Sequence, residues 1–120
     1  MSAKNWVADT RTGMTIKLAY EITINEPLDL ARLTLLRKTL GLRACGRMDD
    51  DWDYKFGYKD LKGDGIQAVE LTLWRADDAP WHLTVSYSTD NIPTSEELAW
   101  WQARIITGVE AAGLSATIRN

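Results

Sequence analysis

The fold turns on residues 51–88, DWDYKFGYKDLKGDGIQAVELTLWRADDAPWHLTVSYS. Three runs within it alternate apolar and polar residues with period two, the pattern of strands that put one face into a core. In the first, Trp52, Tyr54, Phe56 and Tyr58 share one side, and Asp51, Asp53, Lys55, Gly57 and Lys59 share the other. In the second, Val69, Leu71 and Leu73 oppose Glu70, Thr72 and Trp74. In the third, Trp81, Leu83, Val85 and Tyr87 oppose His82, Thr84, Ser86 and Ser88. Lys62-Gly63-Asp64-Gly65 and residues 76–80 supply the turns between them. Connections this short join antiparallel neighbours only, so the three runs predict a meander.

Outward from the meander, residues 14–24 alternate in the same way. Met14, Ile16, Leu18, Tyr20, Ile22 and Ile24 point to one side, and Thr15, Lys17, Ala19, Glu21 and Thr23 to the other. A further short strand is expected over residues 5–10. Asn25-Glu26-Pro27 reads as a helix entry, with Pro27 near the first helical position, where a missing N–H costs nothing. Leu28, Ala31, Leu35 and Leu36, with Leu33 and Leu40 beside them, form an apolar stripe that Gly41 ends. Thr94-Ser95-Glu96-Glu97 has the spacing of a capping box and opens a second helix that Gly113 stops. Its buried stripe is Leu98, Trp101, Ile105, Val109 and Ala112, and residues 114–118 alternate again. The order β-β-α-β-β-β-α-β predicts a single α+β domain over residues 1–120. Its expected form is a mainly antiparallel sheet of five to six strands with two helices packed on one face.

Composition narrows the function classes. The 120 residues are 45% hydrophobic and 26% charged, the balance of a folded globular chain. A lone Cys45 excludes an internal disulfide framework, and with a lone His82 it excludes the usual zinc sites. No apolar run reaches the ~18 residues of a membrane span, and the first eight residues lack the apolar stretch of a signal peptide, so a cytoplasmic protein is expected. The net charge of −3 argues against a general nucleic-acid binder, and nothing calls for a cofactor. Charge is unevenly spread. Arg32, Arg37, Lys38, Arg43 and Arg47 fall in an acid-free stretch, and Asp49, Asp50, Asp51 and Asp53 follow at once.

Four features are candidates for chemistry. Asp49, Asp51 and Asp53 could ring a hard cation, but the pattern lacks the glycine and the downstream glutamate of a calcium loop. A solvated loop or an acidic docking patch fits these aspartates better. Of six tryptophans, Trp52, Trp81 and Trp101 fall on predicted core faces, whereas Trp74 and Trp100 do not and are the candidate aromatic anchors. His82 lies on the polar side of its strand, and no spacing fixes an acid–base partner for it. Cys45 is flanked by Arg43 and Arg47, which could lower its pKa.

The leading expectation is a non-enzymatic protein-binding module. If both helices cover one face of the sheet, the other is left to dock a basic protein through Asp50, Asp51, Asp53, Glu70, Trp74 and His82. In size and acidity the chain is similar to bacterial immunity proteins, which neutralise a toxin by covering its active site; no motif carries that likeness. The alternative is a small-molecule or weakly catalytic site with Trp52, Tyr54, Phe56 and Tyr58 lining a pocket, His82 or Cys45 supplying chemistry, and Arg43 or Arg47 holding an anion. A homodimer that pairs exposed strands or Trp100 across a two-fold axis is the third arrangement the sequence admits.

Overall fold

The computed structural model describes residues 15–50, 54–63, 65–75 and 81–119. The expected strand at residues 5–10, together with Met14, Asp51, Trp52, Asp53, Asp64 and the loop at 76–80, lies outside them. The elements in chain order are β1 (Ile16–Ile24), α1 (Leu30–Leu40), β2 (Arg43–Ala44), β3 (Lys55–Gly63), β4 (Ile66–Trp74), β5 (His82–Ser88), α2 (Ser95–Ala111) and β6 (Ala116–Arg119). The six strands form one sheet in the order β2-β3-β4-β5-β1-β6, and every pairing is antiparallel. The molecule is therefore an α+β fold with a meander at its centre.

The helix ends follow from local chemistry. Asp29 caps α1, its carboxylate accepting from the Arg32 amide at 2.8 Å. Gly41 stops the helix at φ 68°, a left-handed conformation that favours glycine, and Leu42 N–H returns to the Arg37 carbonyl. The helix thus begins after the Asn25-Glu26-Pro27 entry expected from sequence, because Asp29 offers a side-chain acceptor to the free amides of the first turn and Pro27 does not. The stripe rotates accordingly. Leu33, Leu36 and Leu40 are buried, while Ala31 and Leu35 face solvent. At α2 the capping box is complete: Thr94 Oγ1 accepts from the Glu97 amide at 3.1 Å, and the Glu97 carboxylate accepts from the Thr94 amide at 2.8 Å. Trp101, Ile105, Val109 and Ala112 are buried as the stripe predicts.

One continuous core fills the space between sheet and helices. Tyr20, Ile22 and Ile24 of β1, Val69, Leu71 and Leu73 of β4, and Leu83 and Val85 of β5 point into it. The helices meet at Gly108, where an added Cβ would lie 2.4 Å from a Leu40 methyl, and Thr39 Oγ1 donates to the Gly108 carbonyl at 2.7 Å.

Of three register shifts in the sheet, the third lying between Leu61 and Gly63, two change which side chains enter that core. Between Leu18 and Tyr20, β1 advances two residues while β5 advances one. Between Lys55 and Gly57, β3 advances two while β4 advances one. Each extra residue reverses the facing of everything on its far side. Ile16 and Leu18, expected inside, pair with Ser88 and Ser86 on the face away from the helices, and Leu18 is 57% exposed. Tyr54, Phe56 and Tyr58 are likewise split. Tyr54 is exposed, Phe56 is fully buried, and Tyr58 pairs with Thr72 on the outer face.

Phe56 is held by cations as well as by packing. The Trp81 ring meets it edge-on at 5.0 Å, the Arg75 guanidinium lies 4.6 Å from its centroid and that of Arg37 lies at 6.0 Å. Those two arginines also bind main-chain carbonyls of β3 and of the loop before it. Arg37 donates to Cys45 O at 2.6 Å and Phe56 O at 2.8 Å, and Arg75 donates to Met48 O at 3.1 Å and Asp50 O at 2.5 Å. Burial pulls the Arg37 pKa below its usual value. Part of the basic segment is thus structural.

Candidate functional site

The face opposite the helices is laid out in cross-strand rows, because directly paired residues of antiparallel strands point the same way. The central row runs Arg43, Tyr58, Thr72, Thr84, Glu21, Arg119 across all six strands. A second row runs Lys55, Trp74, His82, Thr23, Thr117. A third runs Asp60, Glu70, Ser86, Leu18. Of the residues singled out in the sequence, Glu70, Trp74 and His82 are brought together here. Asp51 and Asp53 lie outside the described residues. Asp50 is not in any row; it sits in the loop before β3, where its carbonyl binds Arg75. Cys45, Met48 and Asp50 of that loop are held through their carbonyls by arginines rather than by strand pairing.

Trp74 lies across the sheet, its indole N–H donating to Thr84 Oγ1 at 2.8 Å. Beside it Tyr58 is flanked by Lys55 Nζ at 4.6 Å and the Arg43 guanidinium at 6.0 Å. Thr72 between these rings is only 4% exposed. His82 Nε2 is 3.9 Å from Glu21 Oε2, close enough for attraction when the imidazole is protonated and too long for a hydrogen bond.

The third row carries the charge arrangement that needs explanation. Asp60 and Glu70 face each other directly across β3 and β4, and like charges so placed destabilise a sheet. Neither has an ion-pair partner among the described residues, where the ion pairs are Arg47–Asp49 and His82–Glu21. The two carboxylates border a hollow of about 210 Å³ whose apolar wall is Ile16 and Ala68, with Ser86 and Lys62 on its rim. Exposed Leu18 ends the row. The face as a whole is of mixed charge, with Arg43, Lys55, Lys62 and Arg119 on the outer strands β2, β3 and β6.

The residues expected to supply chemistry stand apart. His82 and Cys45 line neither the hollow nor the larger cleft on the helix side. Cys45 Sγ lies 3.5 Å from the Lys55 carbonyl. Among the described residues no group of acids, histidine and cysteine is placed to hold a metal ion, and no helix is long and apolar enough to cross a membrane. Ile16, Leu18, Tyr58 and Asp60 were not foreseen on this face, whereas Glu21 falls on the polar side expected of it. The available signal was weak: three apolar residues in succession, Leu18-Ala19-Tyr20, mark the first bulge, while Phe56-Gly57-Tyr58 keeps the alternation and gives no sign of the second. Compared with known proteins, the chain matches no family model, no curated protein and no solved structure.

Proposed function

We propose that this chain is a non-enzymatic protein-binding module that docks a basic partner through the sheet face opposite its helices. The observation that supports it is the Asp60–Glu70 pair: two carboxylates set against each other, with no ion pair among the described residues, beside a hollow with an apolar wall and Lys62 on its rim. A lysine or arginine of a partner fits that arrangement chemically. Its charge would relieve the repulsion, and its methylenes would lie along Ile16 and Leu18. Trp74 and Tyr58 add aromatic area of the kind that dominates docking energetics. Six strands at ~4.8 Å spacing and a few turns of pleat along each give a face on the order of 600 Å², near the ~800 Å² that one partner contributes to a standard interface. An inhibitor of a basic toxin, of the immunity type, is the particular case to which size and acidity point.

The test is capture of a binding protein from the source cell by the immobilised full chain, compared with an Asp60→Asn, Glu70→Gln double variant. The expected result is a basic partner released by salt and bound at least about tenfold more weakly by the variant, which melts no lower than the parent because a repulsion has been removed. Capture and salt dependence that are the same for both proteins would overturn the reading.

A further inference from the structure

On the helix side a cleft of about 550 Å³ opens between α1, α2 and the outer edge of β3. That volume is within the range of small-molecule sites, roughly 300–1,000 Å³. Its floor is apolar, formed by Leu71 and Ile105, and Leu40, packed on Gly108, also lines it. Its charge is one-sided: Lys59, Lys62 and Arg104 line it, and no carboxylate does. Trp100 stands at the mouth, 39% exposed, with the Arg104 guanidinium 4.5 Å from its ring centroid and the Trp101 ring edge-on at 4.7 Å.

The lysines have a simpler role to be weighed first. β2 pairs only with Gly57 and Tyr58, so beyond Tyr58 that side of β3 has no strand partner among the described residues, and an inward-pointing lysine guards such an edge against another strand. Lys59 is in that register, opposite Leu71 on the helix side. Edge protection does not account for Arg104 or Trp100, which come from a helix. Nor does it account for a helix arginine lining the same cleft as Lys59 when no carboxylate lines it.

We infer that this cleft binds a small aromatic molecule carrying a phosphate or carboxylate group. The anion lies between Lys59 and Arg104, and the flat body rests on the Leu71–Ile105 floor beside Trp100. The site is on the other side of the sheet from the docking face, and Lys62 at the edge of β3 borders both.

Titration of the labelled full chain with phenyl phosphate, phenol and inorganic phosphate, followed at the Trp100 indole N–H and the Gly108 amide, tests this. Phenyl phosphate should shift both resonances saturably. Phenol and inorganic phosphate should each bind about tenfold or more weakly, because each lacks one half of the recognised chemistry. Lys59→Met and Arg104→Met should each weaken phenyl phosphate at least about threefold while the fold is unchanged by circular dichroism; both are exposed and neither is in the core. Asp60→Asn with Glu70→Gln should leave this binding intact, which separates it from partner docking. Equal affinity for phenyl phosphate and phenol, no shift with phenyl phosphate, or indifference to both cation replacements would overturn the assignment.

Discussion

Leu18 carries an apolar side chain into solvent in the middle of a sheet face, and that placement is open to direct measurement. A buried leucine cut to a small residue costs about 2–5 kcal/mol, whereas an exposed one away from special features costs within about 0.5 kcal/mol. At 57% exposure Leu18→Ser belongs to the second class. The expected result is a urea midpoint close to that of the parent together with weaker partner capture. Strict alternation puts the same side chain in the core and expects loss of several kcal/mol, so a large drop in midpoint would remove Leu18 from the docking face. Phe56, on the apolar side of its run, is by contrast the fully buried ring on which Trp81, Arg37 and Arg75 converge, as alternation expects.

At the scale of elements, what was legible in the sequence is what local chemistry decides. The capping box at Thr94 and Glu97, the glycine stop at Gly41, the buried stripe of α2 and the three runs of the meander all depend on residues within a few positions of one another. The bulges at Ala19 and at Phe56–Gly57 were not legible, because an inserted residue is defined by the strand opposite and not by its own neighbours. For that reason the sequence indicated Glu70, Trp74 and His82, which lie beyond any bulge in β4 and β5, and missed Leu18, Tyr58 and Asp60, whose facing a bulge sets. The helix–helix contact was hidden for the same reason. Gly108 costs α2 about 1 kcal/mol of intrinsic helix preference relative to alanine, a sequence oddity explained only when Leu40 of α1 is seen against it. Gly108→Val should therefore destabilise by about 1–3 kcal/mol through overpacking. Leu40→Ala in the same chain should recover part of that loss, so that the two changes fall short of additivity by about 0.5 kcal/mol or more. Strict additivity in denaturant titrations would mean that the helices do not press on each other at this point.

Across the whole molecule two carboxylates tie together elements that are distant in sequence. β1 lies between β5 and β6, so the sheet closes only when the last strand returns to the first described one. Glu26 makes that fastening: its carboxylate accepts from the Ser115 amide and the Ser115 hydroxyl, each at 2.7 Å, across 89 residues of sequence. Glu97 makes a second, accepting from the Gln67 amide at 2.8 Å as well as closing its own capping box, and so ties the start of α2 to the start of β4. The backbone hydrogen bond from Ser115 holds the Glu26 pKa below the ordinary 4.5, and the one from Thr94 does the same for Glu97. A carboxyl whose folded pKa lies below its unfolded value contributes stability that is present above the unfolded pKa. That contribution is lost as pH falls through the folded one. Both fastenings should accordingly be in force at neutral pH and weaken progressively below about 4.5, the unfolded end of the window. Glu26→Gln and Glu97→Gln keep an acceptor oxygen but cannot ionise. Each should unfold at lower urea than the parent at pH 7, and the gap should close at pH about 3, where the parent's own carboxyls take up protons. A gap of the same size at both values would show that neither carboxylate is bound more tightly in the folded chain than in the unfolded one, and the closure of the sheet would then have to rest on β1–β6 pairing alone.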